Sequence, residues 1–210
     1  METNRLSEEQ LRKALCQVRK AHRLIYEYQR RMQDLTWFIK NKLGFSKYEG
    51  HKKFSRPLND GKKIYYDLWS WDWIYTYVYE YHLGETDIKG HSLLLSLIQV
   101  SDNGYIGHLP CDNEPKPISF DLVEDSDSKL IFYLSVKNNG KEDFVWDTDK
   151  VIFEHAKIDI PIKIEEQSQI QIVYPVSISK FIDDQSTMSV LREFDKYCKK
   201  EIGFSIMNDD

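Results

Sequence analysis

The sequence lacks any apolar run near the roughly 20 residues that a membrane-crossing helix needs. It has only three cysteines, Cys16, Cys111 and Cys198. That odd, widely spaced set builds no disulfide framework and suits a reducing compartment. The opening METNRLSEEQ has no apolar stretch, so no secretory signal is expected. No Asn-x-Ser/Thr sequon occurs. Together these absences make a cytoplasmic protein without a membrane partner the expectation. A P-loop, G-x-G-x-x-G, G-x-S-x-G and H-E-x-x-H are also missing, which removes the motif-based routes to nucleotide, hydrolase and zinc-protease chemistry. No cofactor is implied.

What is present is polarised. Residues 1–66 carry 16 Lys and Arg against 7 Asp and Glu, and residues 67–210 carry 13 against 27. A basic part beside an acidic part points to an anionic partner, or to the acidic body of the same chain or of a twin.

With nine glycines and six prolines in 210 residues, long stretches run uninterrupted. The spacing predicts one helix from Ser7 to Leu43, with Ser7 as cap, Glu8 and Glu9 at the positive end of the dipole, and Gly44 just past the last turn. At about 1.5 Å per residue it is on the order of 55 Å long. Its seam steps by four and three through Leu11, Leu15, Val18, His22, Ile25, Gln29, Met32, Thr36, Ile39 and Leu43, a heptad repeat. Two covers suit it: the chain's own sheet, or a partner protein including a second copy. Arg12, Arg19, Arg23 and Arg30, with Lys13, Lys20 and Arg31 about 100° further round, form a basic face read as opposite the seam. Residues 44–63 read as a basic loop that extends this charge through Lys52 and Lys53. Such a surface suits phosphates, so nucleic acid is the alternative partner.

From residue 64 the period falls to two, and 64–176 reads as a mostly antiparallel sheet of short strands. Strands are expected at Ile64–Leu68, Trp73–His82, His91–Ser101, then through a hairpin turn at Asn103-Gly104 at Tyr105–Leu109, and at Ile118–Val123, Lys129–Val136, Phe144–Trp146 and Val151–Glu154. Further strands run through Ile158–Ile164, at an edge because of Pro161, and Ile170–Tyr174. A helix near Ser186–Ile202 closes the chain. Helix, then strands, then helix argues a single α+β domain.

Nine of the 17 residues from Tyr65 to Tyr81 are Trp or Tyr. Helical spacing fits 70–82 as well as alternation does, but the β-prone residue types favour a strand with a break at Ser70–Asp72. Trp69, Trp71, Trp73, Tyr75, Tyr77 and Tyr79 are the candidate aromatic surface, either filling a core or presented to a partner.

Reactive constellations are thin. His108-Leu-Pro-Cys111-Asp112 lacks the paired spacing of a zinc site. Asp72 and Glu80 share a face in a strand and, with a third carboxylate, would suit a cation for phosphodiester cleavage. No catalytic or metal residue is assigned. The expectation is a non-enzymatic accessory or inhibitory protein acting through protein contacts, with nucleic-acid binding second and a metal-dependent hydrolase third.

Overall fold

The computed structural model describes residues 7–55, 70–74, 77–108, 116–137, 144–166 and 169–207. The chain divides into two compact units, Met1–Trp37 and Phe38–Asp210.

The described part of the first unit is helical from Glu8 and belongs to α1, Glu8–Leu43. Its start is a capping box: Gln10 N donates to Ser7 Oγ at 3.2 Å, and Ser7 N donates to Gln10 Oε1 at 2.8 Å. Its end, in the second unit, is set by Gly44 at φ +75°. Gly44 N reaches Asn41 O at 3.3 Å and Phe45 N reaches Lys40 O at 3.2 Å, the paired bonds of a Schellman turn.

The second unit is an antiparallel sheet with helices, so the protein is α+β. Its strands are β1 Glu49–Lys52, β2 Val78–Ile88, β3 His91–Val100, β4 Lys129–Lys137, β5 Ile162–Glu166 and β6 Gln169–Ser177. Among the described residues their order is β1-β2-β3-β4-β6-β5. Helix α2, Thr148–His155, lies between β4 and β5, and α3, Asp184–Ile202, follows β6.

Both sheet faces are covered. On one face Ile98, Ile131, Tyr133 and Val173 share a core with Val151 and Ile152 of α2 and with Trp71 and Tyr105. On the other, Phe132 of β4 meets Phe194 of α3 at 4.7 Å, and Tyr174 of β6 meets it at 5.2 Å. Two-sided burial explains why HSLLLSLIQV in β3 does not alternate.

Several expected strands are something else. Asn103-Gly104 opens no hairpin. Asn103–Tyr105 is a 3-10 turn in which Asp102 Oδ1 accepts from Gly104 N at 2.8 Å, and Tyr105 turns into the core. Residues 118–123 carry 3-10 turns, at Pro117–Ser119 and from Val123 onward, and 144–146 has no strand. Val151–Glu154 belongs to α2, because Asp147 caps the segment by accepting from Lys150 N at 2.9 Å. That local bond outweighs the β preference of Val and Ile. The basic loop is interrupted by β1, which pairs with β2 from Glu49↔His82 to Lys52↔Tyr79. Residues 56–69, with the strand expected at 64–68, lie outside the described residues.

The aromatic stretch breaks where expected. Ser70–Trp73 is a 3-10 turn, and β2 starts only at Val78. β2 then runs past His82 through a bulge at Gly84 to the turn at Lys89-Gly90, about six residues beyond the expected end.

Candidate functional site

Two places gather the residues of interest: the seam of α1 and a polar cluster around Glu80.

The seam is uneven. Leu11, Leu15, Val18 and Ile25 are 47, 46, 49 and 39% exposed, whereas Met32 and Ile39 are 0% exposed. His22 is exposed and Gln29 half-buried. Thr36, also buried, bonds its own helix through Met32 O at 2.8 Å. The basic residues stand differently from the expectation. Arg12 and Arg19 directly follow Leu11 and Val18, so at 100° per residue they flank the seam. Lys13, Lys20 and Arg31 are the ones opposite it. Arg12 pairs with Glu8 at 2.7 Å, Lys13 with Glu9 at 2.8 Å and Arg30 with Glu27 at 3.4 Å. Arg19, Lys20 and Arg23 are exposed and have no ion-pair partner among the described residues.

The polar cluster is built by strand register. His51 of β1 lies directly opposite Glu80 of β2, and His82 lies opposite Ser96 of β3. The Glu80 side chain is 3% exposed. Its Oε1 accepts from Ser96 Oγ at 2.8 Å and Trp146 Nε1 at 3.2 Å. Its Oε2 accepts from Thr148 Oγ1 at 3.2 Å and meets His51 Nε2 at 3.1 Å. Lys53 Nζ stands 3.9 Å away, held by Thr148 Oγ1 at 2.8 Å and Asp149 Oδ1 at 2.6 Å.

Burial alone would raise the Glu80 pKa. The hydrogen bonds from Ser96 and Trp146, with the charges of His51 and Lys53, outweigh it and hold the carboxyl below its ordinary range. His82 is pushed down chiefly by burial, against the pull of Glu80. Ser96 has one hydroxyl proton and gives it to Glu80. The 3.2 Å contact between Ser96 Oγ and His82 Nδ1 is therefore a bond donated by the neutral imidazole. Glu80 thus has both oxygens engaged by protein donors. It acts as a clamp joining β1, β2, β3 and the start of α2, and it offers no free lone pair of a general base.

Asp72 is buried in the 3-10 turn. Among the described residues no three His, Cys, Asp or Glu side chains converge as metal ligands. His108 tilts against Phe120 at 5.6 Å, and Cys111 and Asp112 lie outside the described residues. Lys52 is half-buried in β1, and Lys53, with its side chain 18% exposed, is committed to the cluster. A cavity of about 100 Å³ beside α2 is lined by Tyr133, Lys150, His155 and Gln171. It falls short of the roughly 300–1,000 Å³ of ligand sites. An open depression of about 540 Å³ adjoins the start of α3, where Asp183 and Ser186 are already bonded to each other in the helix cap.

The aromatic residues part company. Trp71 is 4% and Trp73 54% exposed. Trp71 stacks on Tyr77 at 4.5 Å, meets Tyr105 and Phe120 edge-on, and donates Nε1–H to Phe54 O at 3.1 Å. Tyr79 points to the other sheet face and tilts against Tyr81 at 4.9 Å. Trp69 and Tyr75 lie outside the described residues.

His51, Ser96, Trp146 and Thr148 carry no signal in the sequence that joins them to Glu80. Only the strand pairing does. No helix of the described residues is long and apolar enough to cross a membrane. No curated protein and no solved structure matches the chain. The family designated PM0109 matches residues 8–203, from the first turn of α1 to the glycine that ends α3, and the chain belongs to that family.

Proposed function

We propose that this chain is a non-enzymatic accessory or inhibitory protein of the cytoplasm that works through protein contacts and self-associates through the N-terminal part of α1. One observation carries the reading: a single heptad seam is buried at Met32 and Ile39 but bare from Leu11 to Ile25. A helix of that length gains little stability in water from propensity alone, and an apolar stripe on it calls for a cover.

Magnitudes set the strength of the contact. Leu11, Leu15, Val18 and Ile25 are each about half exposed, so covering one contributes on the order of 1 kcal/mol. The eight such side chains of a pair gain about 8 kcal/mol, against an association cost of about 4–15 kcal/mol. The dimer is therefore weak and concentration-dependent. Sedimentation velocity across a wide concentration range tests this. The wild type shifts from monomer to dimer as concentration rises, and Val18→Glu stays monomeric. A wild-type chain that remains monomeric throughout overturns the reading.

A second reading rests on Arg19, Lys20 and Arg23, exposed and without ion-pair partners among the described residues. Such cations suit nucleic acid, and binding of an oligonucleotide would then fall steeply with log salt. No binding at low salt removes that reading.

A further inference from the structure

We infer that the occupant of the bare seam is a second copy of this chain, paired parallel and in register. This rests on the self-association proposed above and specifies its geometry. Leu11, Val18 and Ile25 fall at d positions of the heptad and Leu15 and His22 at a. In a parallel pair, like layers meet: a on a, d on d. His22 then faces His22 of the second copy, where a ring N–H of one can donate to a ring nitrogen of the other. In an antiparallel pair each a residue meets a d residue, so His22 is set against aliphatic Val18 and its ring nitrogens lose partners.

The flanks agree. Arg19 is at e and Ala14 at g. Parallel pairing lays the Arg19 stem beside the small Ala14 of the other helix, with its guanidinium left in water. Antiparallel pairing brings e against e and sets Arg19 beside Arg19, a like-charge contact next to the seam.

The test uses the full chain with Cys16→Ser and Cys111→Ser, and with buried Cys198 kept. Val18→Cys is added in one variant and Lys13→Cys, on the face away from the seam, in a control. A disulfide needs Cα atoms within about 7 Å, so a parallel in-register pair oxidises to a covalent dimer at position 18 about tenfold faster than at position 13. Equal rates at 18 and 13, with sedimentation still showing a dimer, overturn the parallel register and leave self-association standing. Efficient cross-linking between a Leu15→Cys chain and an Ile25→Cys chain, with none at 18, assigns the antiparallel pair instead. A monomer at every concentration overturns both proposals together. Circular dichroism of each variant checks that α1 is intact.

Discussion

Val18 and Ile39 occupy equivalent places in one heptad repeat of one continuous helix, yet Val18 is 49% exposed and Ile39 is 0% exposed. The same contrast separates Leu15 from Leu43. A hydrophobic repeat states which side of a helix needs a cover. It does not state whether the cover comes from the same chain. Here Met32, Thr36, Ile39 and Leu43 are buried, while Leu11, Leu15, Val18 and Ile25 remain exposed.

The sharpest way to probe the closed part is at its most connected side chain. Glu80→Ala strips the partner from Ser96, Trp146, Thr148, His51 and Lys53 at once. Leaving the buried donors Ser96 and Thr148 without their acceptor costs about 1–3 kcal/mol each, and the urea midpoint falls accordingly with an unchanged slope. A loss below 1 kcal/mol would mean the cluster is not what holds β1 and α2 to the sheet.

The comparison itself is tested by a pair of substitutions. Ile39→Ala opens a cavity and costs about 2–5 kcal/mol. Val18→Ala, measured on dilute monomer, stays within about 0.5 kcal/mol. Equal losses at the two positions would erase the distinction between the halves of the seam.

A smaller effect appears with acid. The folded value of His82 lies below its ordinary 6.5, so the unfolded chain takes up the proton first. Its contribution to stability is full above 6.5 and is lost as pH falls from there through the folded value. His155 is lowered by burial in the same sense. Glu80 is held below its ordinary 4.5, so its contribution persists further down and is lost as pH falls through its folded value. Stability measured against pH therefore declines in two stages. His82→Asn shrinks the first stage to the part that His155 contributes and leaves the second, and an unchanged first stage in that variant would refute the assignment.

Much of the architecture was legible in the sequence. Ser7 with Gln10 marks one end of α1, and Gly44 the other. β3, β4 and β6 follow apolar runs, and Gly203 at φ +89° ends α3. The misreadings are local bonds that beat propensity: Asp147 turned a β-prone run into α2, and Asp102 turned a hairpin signal into a 3-10 turn. The tryptophans show a third cause. Trp71 and Trp73 look alike in W-x-W-x-W, but the 3-10 turn at Ser70–Trp73 puts Trp71 in the core and leaves Trp73 exposed. The Glu80 cluster was nearly invisible, because its donors stand 16 to 68 residues away in sequence. Of its members, Glu80 stood out in the sequence for a cation and Lys53 for phosphate, neither of them for the other side chains of the cluster.

The strand order β1-β2-β3-β4-β6-β5 departs from chain order only at its last two members. Two of its pairings, β2 with β3 and β5 with β6, join strands that are also neighbours in the chain across connections of two residues. Ring closure for such hairpins is fast, on the order of microseconds, whereas the pairing of β1 with β2 spans a longer stretch of sequence, from Lys52 to Val78. The Glu80 clamp draws on β1, β2, β3 and the start of α2, segments spread from His51 to Thr148. During synthesis on the ribosome, then, the buried carboxylate cannot meet its full set of donors until the start of α2 has been made, although β5 and β6 are still to come.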